Sequence, residues 1–320
     1  MSDSQSTPRV SVIIPGYRAP EHLNQALASV ARQSFGDFEI IVVDDGSGGD
    51  VVAQYRLPDR ARLLRRPQSH GGAAAARNEG IRAARGAFLA LLDQDDLWLP
   101  EKLERQLASL EEHPEAGLTS CHFTKVDASL QPLPEQRPFA PPEKDPVRHL
   151  LRGHGFGAVS SLLLRREVFD ACGLFDETLF CVSDWDMSLR IAHRFVCHYD
   201  PTPMVLRRLH AGQVSWRHLP MRKGDVAVML KTVRWLAQER PDLLPLARRR
   251  LANALRRLAK YSLGEGGDPR EALQAVARAI RTCPWEVRSY ATGAAALLRL
   301  ARPRRGAAVA NHSIGELLCK

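Results

Sequence analysis

Residues 88–100 read FLALLDQDDLWLP, so an apolar run ending in Leu91 and Leu92 leads straight into Asp93, Asp95 and Asp96. Carboxylates this close repel one another, and at a buried strand end their desolvation is costly unless a positive charge sits among them. A divalent cation would supply that charge. The plainer reading is a solvated turn in which Asp96 caps a helix opened by Pro100. A second acidic group, Asp184 and Asp186 in SDWDMSLRI, stands where a loop enters a helix, a place where acids also favour the helix dipole. A third, DDGSGGD (44–50), sets Asp44 and Asp45 ahead of Gly46, Gly48 and Gly49. Those glycines permit a tight turn, and a carboxylate there can accept hydrogen bonds from a base N–H or from sugar hydroxyls.

The elements that must position these acids are legible around them. RVSVIIP (9–15) and FEIIVVDD (38–45) are apolar, β-branched runs, as expected of strands buried on both faces. Between them EHLNQALASVARQ places Leu23, Ala26, Leu27 and Val30 at helical spacing, which makes a βαβ unit and a parallel sheet. AAAARNEGIRAARG (73–86) reads as a further helix closed by Gly86, and AFLALLDQDD as the strand after it. Carboxylates therefore fall beyond the C-terminal ends of two parallel strands, the edge where open α/β sheets bind ligands. Neither GxGxxG nor GxxxxGK[ST] is present, so neither a dinucleotide fold nor a P-loop is supported.

Composition narrows the class. The chain has 320 residues and is 44% hydrophobic, which suits a globular protein of one large and one smaller part. No apolar stretch has the length of a membrane span, and MSDSQSTPRV lacks the layout of a signal peptide, so the sequence reads as cytoplasmic. The 6 cysteines are scattered with no CxxC pair, against a zinc site or a disulfide framework. The net charge of +9 is uneven: residues 1–220 hold 25 Lys and Arg against 28 Asp and Glu, and residues 221–320 hold 20 against 8. Two domains are expected, 1–220 as an α/β catalytic part and 221–320 as a basic α-helical extension.

VSVIIPGYR, IIVVDDGSGGD, GGAAAARNEGI, LLDQDDLWLPEKL, GLFDETL and SDWDMSLRI occur in an order and spacing that resembles the family 2 glycosyltransferases, inverting enzymes of GT-A fold. The likeness covers about residues 9–216. It implies a Rossmann-like, mostly parallel sheet flanked by helices, and it assigns roles residue by residue. Pro15 and Tyr17 line a uracil-type base, Asp45 accepts its ring N–H, and Asp44 is a structural neighbour. Arg77 faces the ribose or diphosphate. Asp93 and Asp95 form the DxD, with Asp93 toward ribose and Asp95 on the metal, leaving Asp96 as the helix cap. His210 in RRLHAGQVSW falls where relatives carry a histidine near the diphosphate, a second metal ligand. Asp184 matches the catalytic base, although Ser183 replaces the acid that relatives usually place before it; Asp186 is left to charge the helix. Apart from the resemblance, His154 in GHGFG reads as a solvated loop histidine, with contact to acceptor or diphosphate as the alternative.

Chemistry independent of the family points the same way. A nucleotide-sugar leaves as a diphosphate whose developing charge needs stabilising, and hard oxygen ligands suit Mg²⁺ or Mn²⁺. The expected reaction moves a sugar from a UDP- or dTDP-linked donor to a hydroxyl of a glycan or lipid-linked glycan, with inversion, in cell-surface polysaccharide or glycoconjugate synthesis. A sugar nucleotidylyltransferase would want a Gly-rich, basic loop after the first strand, and GYRAPEH does not supply one. A non-catalytic nucleotide-binding scaffold with a partner-recruiting helical tail is the other alternative, against which the intact DxD and Asp184 argue.

Beyond residue 220 the pattern is helical. The stretch from Leu258 to about Tyr290 resembles a single tetratricopeptide-like hairpin, with GD before its second helix and CP after it. Arginines 248–250, 256, 257, 302, 304 and 305 cluster on the polar faces. Such a surplus with interleaved leucines fits an anionic membrane surface, peripheral at its inner face. No recognition motif accompanies the charge, so nucleic acid is not expected.

Overall fold

The computed structural model describes residues 7–66, 72–134, 144–153, 155–179, 181–210, 218–264 and 268–301. Its first half follows the apolar runs. Strands β1 (Val10–Gly16) and β2 (Phe38–Asp44) are buried throughout and pair in parallel, Ile13 opposite Ile41. Helix α1 (Pro20–Ala31) opens on proline and buries Leu23, Ala26, Leu27 and Val30. A single helical turn, α2 (Gly49–Val52), and strand β3 (Ala61–Arg65) follow, then α3 (Gly72–Ala83) and β4 (Phe88–Leu91).

The second half is mixed. It runs β5 (Leu97–Trp98), α4 (Lys102–Glu112), β6 (Ala116–Val126), α5 (Pro146–Leu151), β7 (Leu162–Arg165), α6 (Glu167–Cys172), α7 (Ser183–Arg194) and β8 (Val196–Arg208). All eight strands form one sheet in the order β3-β2-β1-β4-β7-β6-β8-β5. The β3-β2-β1-β4 half is parallel, β7 is antiparallel to both neighbours, and β6 and β8 pair in parallel. The loops after β1, β2 and β4 therefore leave from one edge of the sheet.

Two glycines let α3 and its exit lie against that sheet. A Cβ on Gly80 would stand 2.4 Å from Ile13 Cγ2, so helix and strand approach closely only without one. Helix α3 ends at Ala83 rather than being closed by Gly86. Gly86 has another duty: its N–H donates to Ser11 Oγ at 2.9 Å, and a Cβ there would lie 2.7 Å from the Ser11 nitrogen.

Helices α8 (His218–Glu239), α9 (Leu244–Ser262), α10 (Pro269–Thr282) and α11 (Val287–Ala301) complete the described chain. The chain divides into two compact units, Met1–Leu251 and Ala252–Lys320, so the basic region beyond 220 belongs to both. In the second unit Asp268 caps α10 by accepting from Arg270 N at 2.9 Å.

Candidate functional site

Strand β4 ends where its apolar run stops, and the chain turns there so that single carboxylate oxygens of Asp93, Asp95 and Asp96 lie within 4.8 Å of one another. Asp96 is not a helix cap. A two-residue strand, β5, intervenes before α4, which begins at Lys102 with no side-chain cap. The buried Asp96 carboxylate instead accepts from Ser160 Oγ at 2.6 Å and from the Arg208 amide at 3.1 Å, tying the turn to β8. Burial, followed by Asp95 and Asp93 close by, pushes Asp96 well above the usual carboxylate range. Asp95 has one oxygen 3.2 Å from His210 Nε2, while its carbonyl accepts from Arg208 Nε at 3.0 Å. Asp93 is ion-paired with Arg77, a buried α3 arginine whose guanidinium also lies over the Phe175 ring at 5.7 Å.

On the β1 and β2 side, Pro15 is a buried strand residue opposite Val43 and Tyr17 is exposed beyond it. Gln94, the middle residue of DQD, holds Tyr17 by two bonds: its Oε1 accepts from Tyr17 N at 2.7 Å, and its Nε2 donates to Tyr17 O at 3.1 Å. Asp44 is structural, accepting from Tyr55 Oη at 2.8 Å and from Ser47 N at 3.1 Å. Asp45 sits at the next position with one carboxylate oxygen 2.5 Å from Arg66 Nη1.

Asp184 and Asp186 open α7 and part company there. Asp186 is buried and does more than charge the helix: it meets Arg190 at 2.9 Å and Lys231 of α8 at 2.8 Å. Lys231 also meets Asp176 of the GLFDETL turn at 2.7 Å. Asn78, in the ARN stretch of α3, fixes the same turn from the other side through the Phe175 carbonyl at 2.9 Å and the Phe175 amide at 2.9 Å. Among the described residues Asp184 makes no ion pair of that kind. Burial raises its pKa, Arg77 and the Trp185 amide pull it back, and Asp93 pushes it up. Asp184 is therefore in electrostatic reach of the Arg77–Asp93 pair. Beside it, the Arg250 guanidinium lies 5.2 Å over the Trp185 ring, so this arginine belongs to the floor of α7 rather than to a solvated stripe.

The structure thus gathers Arg77, Asp93, Asp95, Asp184 and His210 at one edge of the sheet, with Tyr17 joined to them through Gln94 and Asp45 at the end of β2. His154 lies outside the described residues. Arg66, Gln94, Ser160, Arg207 and Lys231 carry contacts that the sequence reading passed over. Arg207, whose guanidinium lies 5.5 Å over Phe123, acts on both Asp96 and Asp184. The double arginine before His210 is the one signal that points to it. For a divalent cation the donor set fits: three carboxylates on one turn with an imidazole beside them favour a hard or borderline ion. Among the described residues a second such grouping, His113, Glu115 and His198, lies where α4 leads into β6 and beside β8.

The sequence profile of Glycosyl transferase family 2 matches residues 11–173. An uncharacterized glycosyltransferase of Rickettsia prowazekii, RP339, is 29% identical over 224 residues, covering 67% of this chain and 68% of its own. The uncharacterized glycosyltransferase EpsJ of Bacillus subtilis is 30% identical over 192 residues, covering 57% of this chain and 55% of its own. Among solved structures, S. aureus TarS 1–349 in complex with UDP-GlcNAc superposes with a TM-score of 0.66 at 18% identity, covering 94% of this chain and 95% of that one. The mannosyltransferase PcManGT from Pyrobaculum calidifontis, in complex with GDP-Man and Mn²⁺, gives 0.57 at 19%, covering 92% and 87%. At these identities the structural likeness is one of fold.

Proposed function

We propose that this chain, which belongs to glycosyl transferase family 2 and has the GT-A fold, moves a sugar with inversion from a UDP- or dTDP-linked donor to a hydroxyl of a glycan or lipid-linked glycan. The product would serve cell-surface polysaccharide or glycoconjugate synthesis. The observation that carries the reading is the position of Asp184, a carboxylate with a raised pKa whose charge is felt together with those of Arg77 and Asp93. A base and a donor-binding acid at one sheet edge are what a displacement at the anomeric carbon needs.

In this reading Tyr17 and Pro15 form the shelf for the base, and Asp45 accepts its ring N–H while Arg66 holds that carboxylate in place. Asp93 receives the ribose hydroxyls and is held in place by Arg77. Bound at Asp95 and His210, Mn²⁺ or Mg²⁺ would neutralise charge on the departing diphosphate. Asp184 takes the acceptor proton as the hydroxyl attacks from the face opposite the leaving group, and its raised pKa makes it the stronger base. Asp186 holds the helix that carries Asp184. The UDP-sugar complex of the TarS neighbour supports a uridine donor, and the Mn²⁺ in the PcManGT complex supports the ion.

The basic C-terminal region would keep the enzyme at the anionic inner face of a membrane, where a lipid-linked acceptor is found. Among the described residues no helix is long and apolar enough to cross one. The test is mass spectrometry of products from a panel of nucleotide-sugars and glycan acceptors, with and without Mn²⁺, for the wild type and Asp184→Asn. A metal-dependent glycoside formed by the wild type and nearly lost in the variant is expected. Wild type that binds UDP yet transfers from no donor would favour the scaffold reading.

A further inference from the structure

Helix α11 is built inside out. The side it buries is small and partly polar, Ser289, Thr292, Gly293 and Ala296, and a Cβ on Gly293 would come within 3.0 Å of Val276 Cγ1 on α10. The side it shows to solvent carries Val287, Tyr290, Ala291, Ala294, Leu297 and Leu298, spaced by threes and fours. Val287 is 73% exposed, Leu298 68%, and Trp285, in the turn before the helix, 87%. An amphipathic helix of a water-exposed protein normally points such a stripe inward. A contiguous apolar face of this kind marks a contact surface.

The surroundings say what covers it. Between residues 278 and 301 the sequence holds Arg278, Arg281, Arg288 and Arg299, against Glu286 as the one acid. Beside the apolar stripe, a groove of about 340 Å³ between α9 and α11 is lined by Arg256, Lys260 and Arg288 with Leu263, Ala291, Thr292 and Ala295. Among the described residues its walls hold three cations and no acid, and Arg256 Nε beneath it is buried with no hydrogen-bond partner. Apolar side chains with a tryptophan and a tyrosine, next to a groove lined by cations, are complementary to the acyl boundary and the phosphates of anionic lipid. A second copy laid on the same face would bring arginines against arginines.

We propose that α11, with the groove between it and α9, is an interfacial docking surface for anionic phospholipid, the apolar stripe entering the acyl boundary and the groove receiving a headgroup phosphate. This gives the peripheral contact named above a location and rests on that part of the reading. It stands or falls apart from sugar transfer, because its test reads lipid binding alone.

The test is co-sedimentation of the full chain with phosphatidylcholine vesicles, with and without about a third phosphatidylglycerol, beside UDP calorimetry and light scattering. Wild type should pellet with the anionic vesicles and not with phosphatidylcholine. Leu297→Glu with Leu298→Glu, at two exposed positions, should reduce that partitioning at least about tenfold and leave UDP affinity unchanged. Arg256→Gln, Lys260→Gln and Arg288→Gln together should reduce it about a hundredfold at low ionic strength. The proposal is overturned if wild type ignores anionic vesicles or binds both kinds equally, or if the double-leucine variant binds as wild type does. A wild-type dimer that this variant turns to monomer without changing vesicle binding would assign the face to a second copy instead.

Discussion

Lys231→Met should cost stability and turnover together while leaving the nucleotide side untouched. The ammonium group holds Asp176 at 2.7 Å and Asp186 at 2.8 Å, so it clamps the GLFDETL turn and the start of α7 to α8. At an effective dielectric near 20 each contact is a gross attraction of roughly 6 kcal/mol. Most of that is returned as solvation, since the lysine side chain is 42% exposed, and Asp186 keeps Arg190 at 2.9 Å. A net loss of about 1–3 kcal/mol remains, and for a unit of this size it lowers Tm by roughly 3–10 °C. The loss depends on pH with a definite sign. Burial on its own would raise Asp176, but the Lys231 and Thr178 hydrogen bonds outweigh it and bring the pKa down to about 2. A depressed carboxylate contributes stability above its unfolded pKa of about 3.9 and loses it as pH falls toward the folded value. The gap in Tm between wild type and variant should therefore be full near neutrality and close as the pH drops from about 4 toward 2. Because Asp186 is two residues after Asp184, kcat should fall while the UDP dissociation constant holds. Equal Tm values at neutral pH, or a gap as wide in acid as at neutrality, would refute the clamp.

Asp184→Asn should slow transfer by roughly 10² to 10⁴-fold with UDP affinity kept; wild-type turnover would place the base elsewhere. Burial raises Asp184, so the rate in the wild type should be lost as pH falls through a value above that of an ordinary aspartate. Arg77→Met, which removes a cation that lowers that pKa, should move the acid limb of kcat further up. Asp95→Asn should weaken Mn²⁺-dependent UDP binding in calorimetry, and wild-type affinity that is the same with and without Mn²⁺ would reject the ligand role. Gly80→Ala, pressed against Ile13, should cost about 1–3 kcal/mol in denaturant unfolding, whereas Gly36→Ala, with nothing within 4 Å of the added Cβ, serves as the near-neutral control.

What could be read in the sequence was what local pattern encodes. β1, β2 and β4 are buried on both faces, so their apolar runs stand out unaided. β8 is half-exposed, holds Pro201 and Pro203, and shifts register against β6, so nothing nearby in the chain announces it. Asp96 looked like a cap because β5 is only two residues long and exists through pairing with Val205 and Leu206, far downstream. Asp186 looked like a dipole charge because Lys231 lies two elements further on. The acids themselves were legible because three carboxylates after an apolar strand are unusual whatever surrounds them, whereas the cations that face them, Arg66, Arg207 and Lys231, are scattered among many others.

Gln94 stands between Asp93 and Asp95 and grips Tyr17 at both its amide and its carbonyl. The shelf proposed for the base and the turn proposed for the cation are thus one mechanical piece. Linkage then runs in both directions: whatever factor the cation adds to nucleotide affinity, the nucleotide must add to cation affinity. Gln94→Ala should reduce both enhancements by the same factor although it touches neither ligand, so the variable letter of the DxD would set the order and the tightness with which the two enter.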